Sequence, residues 1–189
     1  MKAIPVSNFT WCQTQTVKPK NQNEPVQLPI ATRNGIFMAR YSEQGLTSLN
    51  FPAHGRANLR AGLGARQTVP AIIRRWHRAT TSALKRALAG RAPQALPPLD
   101  FSGGTVFQRR VWSAMRRIAC GQTRSYGEIA RVIGQPKAVR AVGGACGANP
   151  IPVLVPCHRV LAANGKIGGF SGGLNWKRRL LEREGVNWS

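Results

Sequence analysis

The sequence predicts an α+β protein in two domains: an amino-terminal half built on a small antiparallel sheet with helices, and a mostly helical carboxy-terminal half containing a helix-turn-helix. Three observations carry this. Ile36-Phe37-Met38-Ala39-Arg40-Tyr41 and Leu46-Thr47-Ser48-Leu49-Asn50-Phe51 flank Ser42-Glu43-Gln44-Gly45, a hairpin pattern with glycine where the turn needs positive φ. Helical periodicity with capping signals fills the second half. Between them, Gly90-Arg91-Ala92-Pro93-Gln94-Ala95-Leu96-Pro97-Pro98 sustains neither a helix nor a central strand, which places a linker there and divides residues 1–98 from 99–189.

The first 35 or so residues have weak periodicity and predict no element. From Val69 to Ala89, the residues Ile72, Ile73, Trp76, Leu84 and Leu88 recur at helical spacing among basic residues, giving one or two amphipathic helices. Thr105 caps a helix whose apolar face is Phe107, Val111, Met115 and Ile118, ending before Gly121. Ser125 with Glu128 forms a capping box opening a short helix, with Ile129, Val132 and Ile133 inside and Gly134 as its stop. Pro136 suits the first turn of the next helix, which runs through Val139, Arg140 and Val142 toward Gly147. These two helices make the helix-turn-helix. Ile151 to Val155 reads as a buried strand, Asn164-Gly165-Lys166 as a tight turn and Gly168 through Gly173 as a small-residue loop. A last helix carries Leu174, Leu180 and Leu181, with Glu184 in its final turn.

Composition narrows the function classes. The 189 residues hold 28 Lys and Arg against 6 Asp and Glu, a formal charge of +22, which favours a polyanionic partner, above all nucleic acid. The charge is not a terminal arm, since residues 1–100 and 101–189 each contain 14 basic and 3 acidic residues. The longest apolar run, Ile151 to Pro156, falls far short of the roughly 18 residues of a membrane span. The amino terminus lacks the apolar core of a secretory signal, so the protein is expected to stay inside the cell. Cys12, Cys120, Cys146 and Cys157 share no C-x-x-C spacing, so reduced thiols are expected, and a reduced thiol can be a nucleophile.

The helix around Arg140 is almost bare of bulky side chains, with Ala138, Ala141, Gly143, Gly144, Ala145 and Gly147. Glycine costs about 1 kcal/mol against alanine in a helix, so these positions serve either close approach to another surface or tight packing inside the domain. Beyond it, Pro156-Cys157-His158-Arg159-Val160 sets a thiol beside an imidazole and a guanidinium. That is the composition of an activated nucleophile, although an inert buried cysteine is the commoner meaning of a lone thiol. Glu184 stands where the helix dipole disfavours a carboxylate, so it is either an orienting partner for His158 or one more solvated charge.

Pro156-Cys157-His158-Arg159-Val160, preceded by Arg140-Ala141-Val142-Gly143-Gly144-Ala145 and Asn149-Pro150, and followed by Gly168 through Gly173 and Leu180-Leu181-Glu182-Arg183-Glu184-Gly185, resembles the O6-alkylguanine-DNA alkyltransferases. The resemblance covers residues 101–187 closely and residues 35–51 loosely. It implies a ribonuclease-H-like amino-terminal fold, a winged-helix-like carboxy-terminal fold and a suicidal DNA repair protein. Such a protein takes an alkyl group from O6 of guanine, and less readily O4 of thymine, onto its own cysteine.

By motif, the resemblance implies Cys157 as acceptor, His158 as its base through a water, Glu184 holding His158, and Asn149 supporting the cysteine turn. It makes Tyr126, beside Ser125, the residue that crowds a phosphate and protonates the departing guanine, and Arg140 the finger that fills the gap left by the flipped nucleotide. Ser125, Tyr126, Gly127, Ala138, Val139, Arg140 and Gly143 are the implied DNA contacts. Pro156, Val160, Phe170 and Ser171 are the implied pocket. The implied partner is double-stranded DNA containing O6-alkylguanine, met by a monomer in the cytoplasm, or in the nucleus of a eukaryote. No metal or organic cofactor is implied for transfer to a thiolate.

The sequence departs from the family pattern in places. Some relatives hold a structural zinc in the amino-terminal domain, but Cys12, His54 and His77 have no recognisable ligand spacing, and no zinc is expected. Phe170 stands where relatives often have tyrosine, and Gly147-Ala148 offers no arginine after the recognition helix. Residues 51–89 match poorly. Two rival functions are a lesion-recognition or regulatory module without transfer and a cysteine hydrolase. The presence of Cys157 weighs against the first. The second would normally draw its Cys and His from distant segments.

Overall fold

The structure, a computed structural model, describes residues 25–52 and 69–188; Cys12, His54 and much of the basic stretch lie outside them. The chain is a mixed α and β protein. Three antiparallel strands, β1 (Val26–Thr32), β2 (Gly35–Tyr41) and β3 (Leu46–Asn50), form a sheet in that order. The β2–β3 hairpin has the expected turn, and Gly45 at φ +150° is required twice over: a Cβ there would also lie 2.3 Å from the Pro98 carbonyl oxygen.

β1 went unseen in the sequence because Pro29 interrupts it. Proline is tolerated because β1 is an edge strand, and Val26, Leu28 and Ile30 still alternate onto the inner face. The basic segment forms one helix, α1 (Ala71–Leu88), burying Ile73, Ala83, Leu84, Ala87 and Leu88; Ile72, expected inside, faces solvent. The Pro-rich segment 90–98 contains no helix, and its end docks on the sheet. The Leu46 N–H donates to the Pro98 carbonyl, and the Asp100 N–H to that of Leu46, both at 2.9 Å.

The second half begins with α2 (Val106–Arg116), capped reciprocally by Thr105 and Gln108 and burying Val111, Trp112 and Met115. A two-residue strand β4 (Arg124–Ser125) leads into α3 (Tyr126–Val132), capped by Ser125 with Glu128 as expected. Val132, expected inside, is exposed, because α3 is only seven residues long and turns Ile129, Ala130 and then Ile133 inward. Pro136 lies outside α4 (Val139–Gly147) and occupies a turn closed by the Ala138 N–H on the Gln135 carbonyl.

The expected strand 151–155 is a buried turn instead. Val153 adopts φ +73°, the Val155 N–H returns to the Ile151 carbonyl, and Pro152 supplies no donor for a ladder. Cys157–Arg159 then forms a 3-10 turn, followed by β5 (Val160–Leu161), which pairs in parallel with β4. α5 (Leu174–Arg183) closes the chain. One hydrophobic core runs through both halves, and Phe37, Phe51, Phe170 and Trp176 meet ring to ring where the sheet touches α5 and its preceding loop.

Candidate active site

Asn149 is the clasp of the site. Its side-chain oxygen accepts from the Ile151 N–H at 3.1 Å, and its amide nitrogen donates to the Val155 carbonyl at 2.8 Å and to the Cys157 sulfur at 3.2 Å. A β-branched residue in the left-handed region costs about 1–3 kcal/mol, and this clasp holds Val153 there. Cys157 is only 4% exposed. Burial pushes its thiol above the usual range, while the Asn149 amide, the Lys177 charge and the backbone N–H groups of Cys157 and His158 pull the other way. The resting group is therefore a thiol that needs a base.

His158 adjoins it, fully buried. Its Nε2 lies 2.9 Å from Oε1 of Glu184, and its buried Nδ1 has no hydrogen-bond partner among the described residues. Burial lowers the imidazole pKa, so it is neutral near pH 7. Glu184 lies just past the end of α5 with its side chain 1% exposed. Burial alone would raise its pKa, but hydrogen bonds from His158 and Arg159 overturn that and hold it at about 2. An ionised carboxylate only accepts, so Nε2 must carry the proton and Nδ1 the lone pair. The basic nitrogen is thus the one not used by Glu184.

Two residues escaped the sequence reading. Arg159, grouped there with the thiol, turns away from it: Nε and Nη2 grip the two oxygens of Glu184 at 2.9 Å, and Nη1 donates to the Ile118 carbonyl at 2.7 Å. Its cation offsets the unfavourable helix-end position of Glu184. Lys177 is wholly buried and forms no ion pair with a carboxylate among the described residues. Its Nζ ties the Val160 carbonyl (2.6 Å) to the Gly169 carbonyl (3.2 Å), joining the two walls of the implied pocket, and burial lowers its pKa to about 8. The signal for it was present, since Lys177 precedes Leu180 and Leu181 by three and four on the inward stripe, whereas Leu174, grouped with them in the sequence, is exposed at the helix start.

The other expected residues divide into two groups. Val160 and Pro156 are buried beside Cys157, and Tyr126 is half-buried, its hydroxyl 3.2 Å from where a Cβ on Gly168 would stand. Burial, followed by the proximity of Cys146 and Cys157, raises the Tyr126 pKa and keeps it a proton donor. Phe170 sets its ring edge-on to Phe51 at 5.7 Å, and Ser171 is exposed on a crevice shared with Phe51, Asn149 and Trp176.

Ser125, Gly127, Ala138, Val139, Arg140 and Gly143 lie along α3 with its cap, α4 and the turn between them, with Arg140 exposed. The α4 glycines leave space outside the helix: among the described residues, a Cβ on Gly143, Gly144 or Gly147 would meet nothing within 4 Å. Internal packing does not require them. The helix presents a smooth outer face with one long cation.

Among the described residues no group of three or more His, Cys, Asp or Glu is placed to hold a metal ion, and no helix is long and apolar enough to cross a membrane. Residues 106–186 match the family model for the DNA-binding domain of 6-O-methylguanine DNA methyltransferase. The methylated-DNA–protein-cysteine methyltransferase of Mycobacterium tuberculosis is 62% identical over 81 residues, 43% of this chain and 49% of that protein. The bifunctional transcriptional activator and DNA repair enzyme Ada of Escherichia coli is 50% identical over 90 residues, 48% of this chain and 25% of that protein. The crystal structure of M. tuberculosis OGT in complex with DNA superposes with a TM-score of 0.64 at 38% identity, covering 82% of this chain and 90% of that one. The fold and site define a mixed α and β protein with a buried Cys157–His158–Glu184 arrangement beside the α3–turn–α4 pair. The chain belongs to the methylated-DNA–protein-cysteine methyltransferase family. It spans about half the length of the curated relatives it matches.

Proposed function

We propose that the protein repairs DNA by direct reversal, moving the alkyl group of O6-alkylguanine, and less readily of O4-alkylthymine, onto Cys157 in one irreversible, stoichiometric step. The observation that carries this is the Asn149–Cys157–His158–Glu184 arrangement, with its free basic nitrogen at Nδ1, in a chain of this family. His158 takes the thiol proton through a water. The sulfur lone pair forms the S–C bond as the C–O6 bond breaks, and Tyr126 returns a proton to the departing guanine. Electrons and atoms balance between thiolate and alkyl carbon, so the step needs no cofactor.

The O6 atom is unreachable in the duplex, so the base is flipped, at a cost of a few kcal/mol. Arg140 fills the gap, and the bare outer face of α4 lets the helix lie in the minor groove, where reading is degenerate and repair can proceed in any sequence. Ser125, Tyr126, Gly127, Ala138, Val139 and Gly143 contact the backbone around it. Pro156, Val160, Phe170 and Ser171 surround the flipped base. The partner is double-stranded DNA and the protein acts as a monomer inside the cell. We assign residues 1–98 to a ribonuclease-H-like unit, supported by the α1-backed sheet, and residues 99–189 to a winged-helix-like unit, supported by the β4–β5 pair beside α3 and α4.

The test is intact-mass spectrometry after incubation with a duplex containing O6-methylguanine, followed by peptide mapping. One added methylene per molecule, on the Cys157 peptide, is the expected result. Turnover beyond one per molecule, or a label elsewhere, overturns it. Arg140→Ala is expected to slow transfer about tenfold or more by making flipping harder. Placing the lesion opposite a mismatch, where extrusion is cheaper, should narrow that deficit; an equal deficit on both duplexes would show that Arg140 does not act in flipping.

A further inference from the structure

The outer face of α1 is a second basic surface, on an element that packs on β1 and carries none of the residues assigned above. Residues 71, 75, 78, 82 and 85 fall on one side of the helix, and all are exposed: Ala71, Arg75, Arg78, Ser82 and Lys85, with Arg74 exposed at the margin. Arg74 spends one bond on the Val69 carbonyl at 3.0 Å. Arg75, Arg78 and Lys85 have no hydrogen bond or ion pair among the described residues. No Asp or Glu occurs anywhere between Glu43 and Asp100.

Solubility does not explain this face, since soluble surfaces intersperse both signs and like charges at i,i+3 and i,i+4, as in Arg75/Arg78 and Arg74/Arg78, repel one another. Past Lys85 the surface continues into a hollow lined by Arg33 and Arg183 as well. The other residues of this exposed face, Ala71 and Ser82, are small, so nothing bulky on it keeps a rigid polyanion away. Arg75 and Lys85 are about 15 Å apart along the axis, a length over which a duplex strand offers several phosphates.

We propose that this face of α1 binds the phosphate backbone of duplex DNA as a sequence-independent second contact, outside the lesion site. The inference rests on duplex DNA being the partner of the lesion site. It makes the amino-terminal half a DNA-holding unit that keeps the protein on undamaged duplex.

The test is the triple variant R75A/R78A/K85A, which places good helix formers at exposed positions, measured on a long unmodified duplex across a range of salt. Each lost phosphate contact removes roughly 0.9 from the slope of log affinity against log salt, so the slope is expected to shrink by about 2 to 3. The charge-keeping variant R75K/R78K/K85R should retain it. Single-turnover transfer from a short lesion duplex at saturating protein should match the native chain, which also establishes that the variant is folded. An unchanged slope overturns the proposal, as does loss of binding only to anionic lipid vesicles with the DNA slope intact. Were native and variant chains alike to transfer nothing while the slope still fell, the repair reading would fail and the α1 surface would stand.

Discussion

Cys157→Ala is expected to hold a lesion-bearing duplex about as tightly as the native chain while transferring nothing, with no mass gain on any peptide of the described residues. The binding half follows from the clasp. The Asn149 amide keeps its bond to the Val155 carbonyl when the sulfur is gone, so the turn, Val160 and the pocket wall stay in place. The chemical half follows from the remaining thiols. Cys146 is buried with its sulfur 3.5 Å from that of Met115, and burial pushes its pKa up to about 12. Cys120 is also raised, by burial and then by the Glu184 charge, and its thiol donates to the Gly90 carbonyl. Neither has an imidazole partner among the described residues. Gel-shift affinity paired with intact mass checks both halves, and a labelled Cys120 or Cys146 peptide in the variant would reassign the acceptor.

Glu184→Gln should be the most damaging substitution that leaves the nucleophile untouched. The carboxamide can present an N–H where the carboxylate presented only acceptors. His158 then gains from switching its proton to Nδ1, which is the nitrogen needed as base. Orienting-carboxylate losses of this kind cost about 10²–10⁴ in rate. The same change strands the buried Arg159, and breaking a buried pair costs about 3–5 kcal/mol. pH gives an independent reading. A carboxyl at about 2 in the folded chain against 4.5 unfolded contributes on the order of 3 kcal/mol, fully present above pH 4.5 and lost as pH falls toward 2. The native denaturation midpoint should fall across that window, and the Glu184→Gln midpoint should fall less. Equal slopes would show that acid sensitivity comes from elsewhere.

The hairpin and most of the second half were legible because their signals are local. Capping at Thr105 and Ser125 and the turn at Gly45 are decided by residues within four positions. Failures came where tertiary contacts decide. Pro29 masked β1 because sequence does not reveal that the strand is an edge. The apolar run 151–155 imitated a strand because its real organiser, Asn149, acts through side-chain bonds. Arg159 was misdirected for a similar reason: its partners, Glu184 and the Ile118 carbonyl, are 25 and 41 residues away. The glycines of α4 required the opposite information, the absence of any neighbour at their outer face.

The ring cluster of Phe37, Phe51, Phe170 and Trp176 has a bearing on how the two halves have diverged. Beside a few hydrogen bonds, the amino-terminal sheet meets the chemistry-bearing half through ring faces, which many sequences can supply at the right places, whereas the Asn149–Cys157–His158–Glu184 geometry tolerates few. Drift should therefore be rapid in the scaffold and slow in the site. A likeness at 62% identity extends over 81 residues, whereas a shared backbone extends over 82% of the chain at 38% identity.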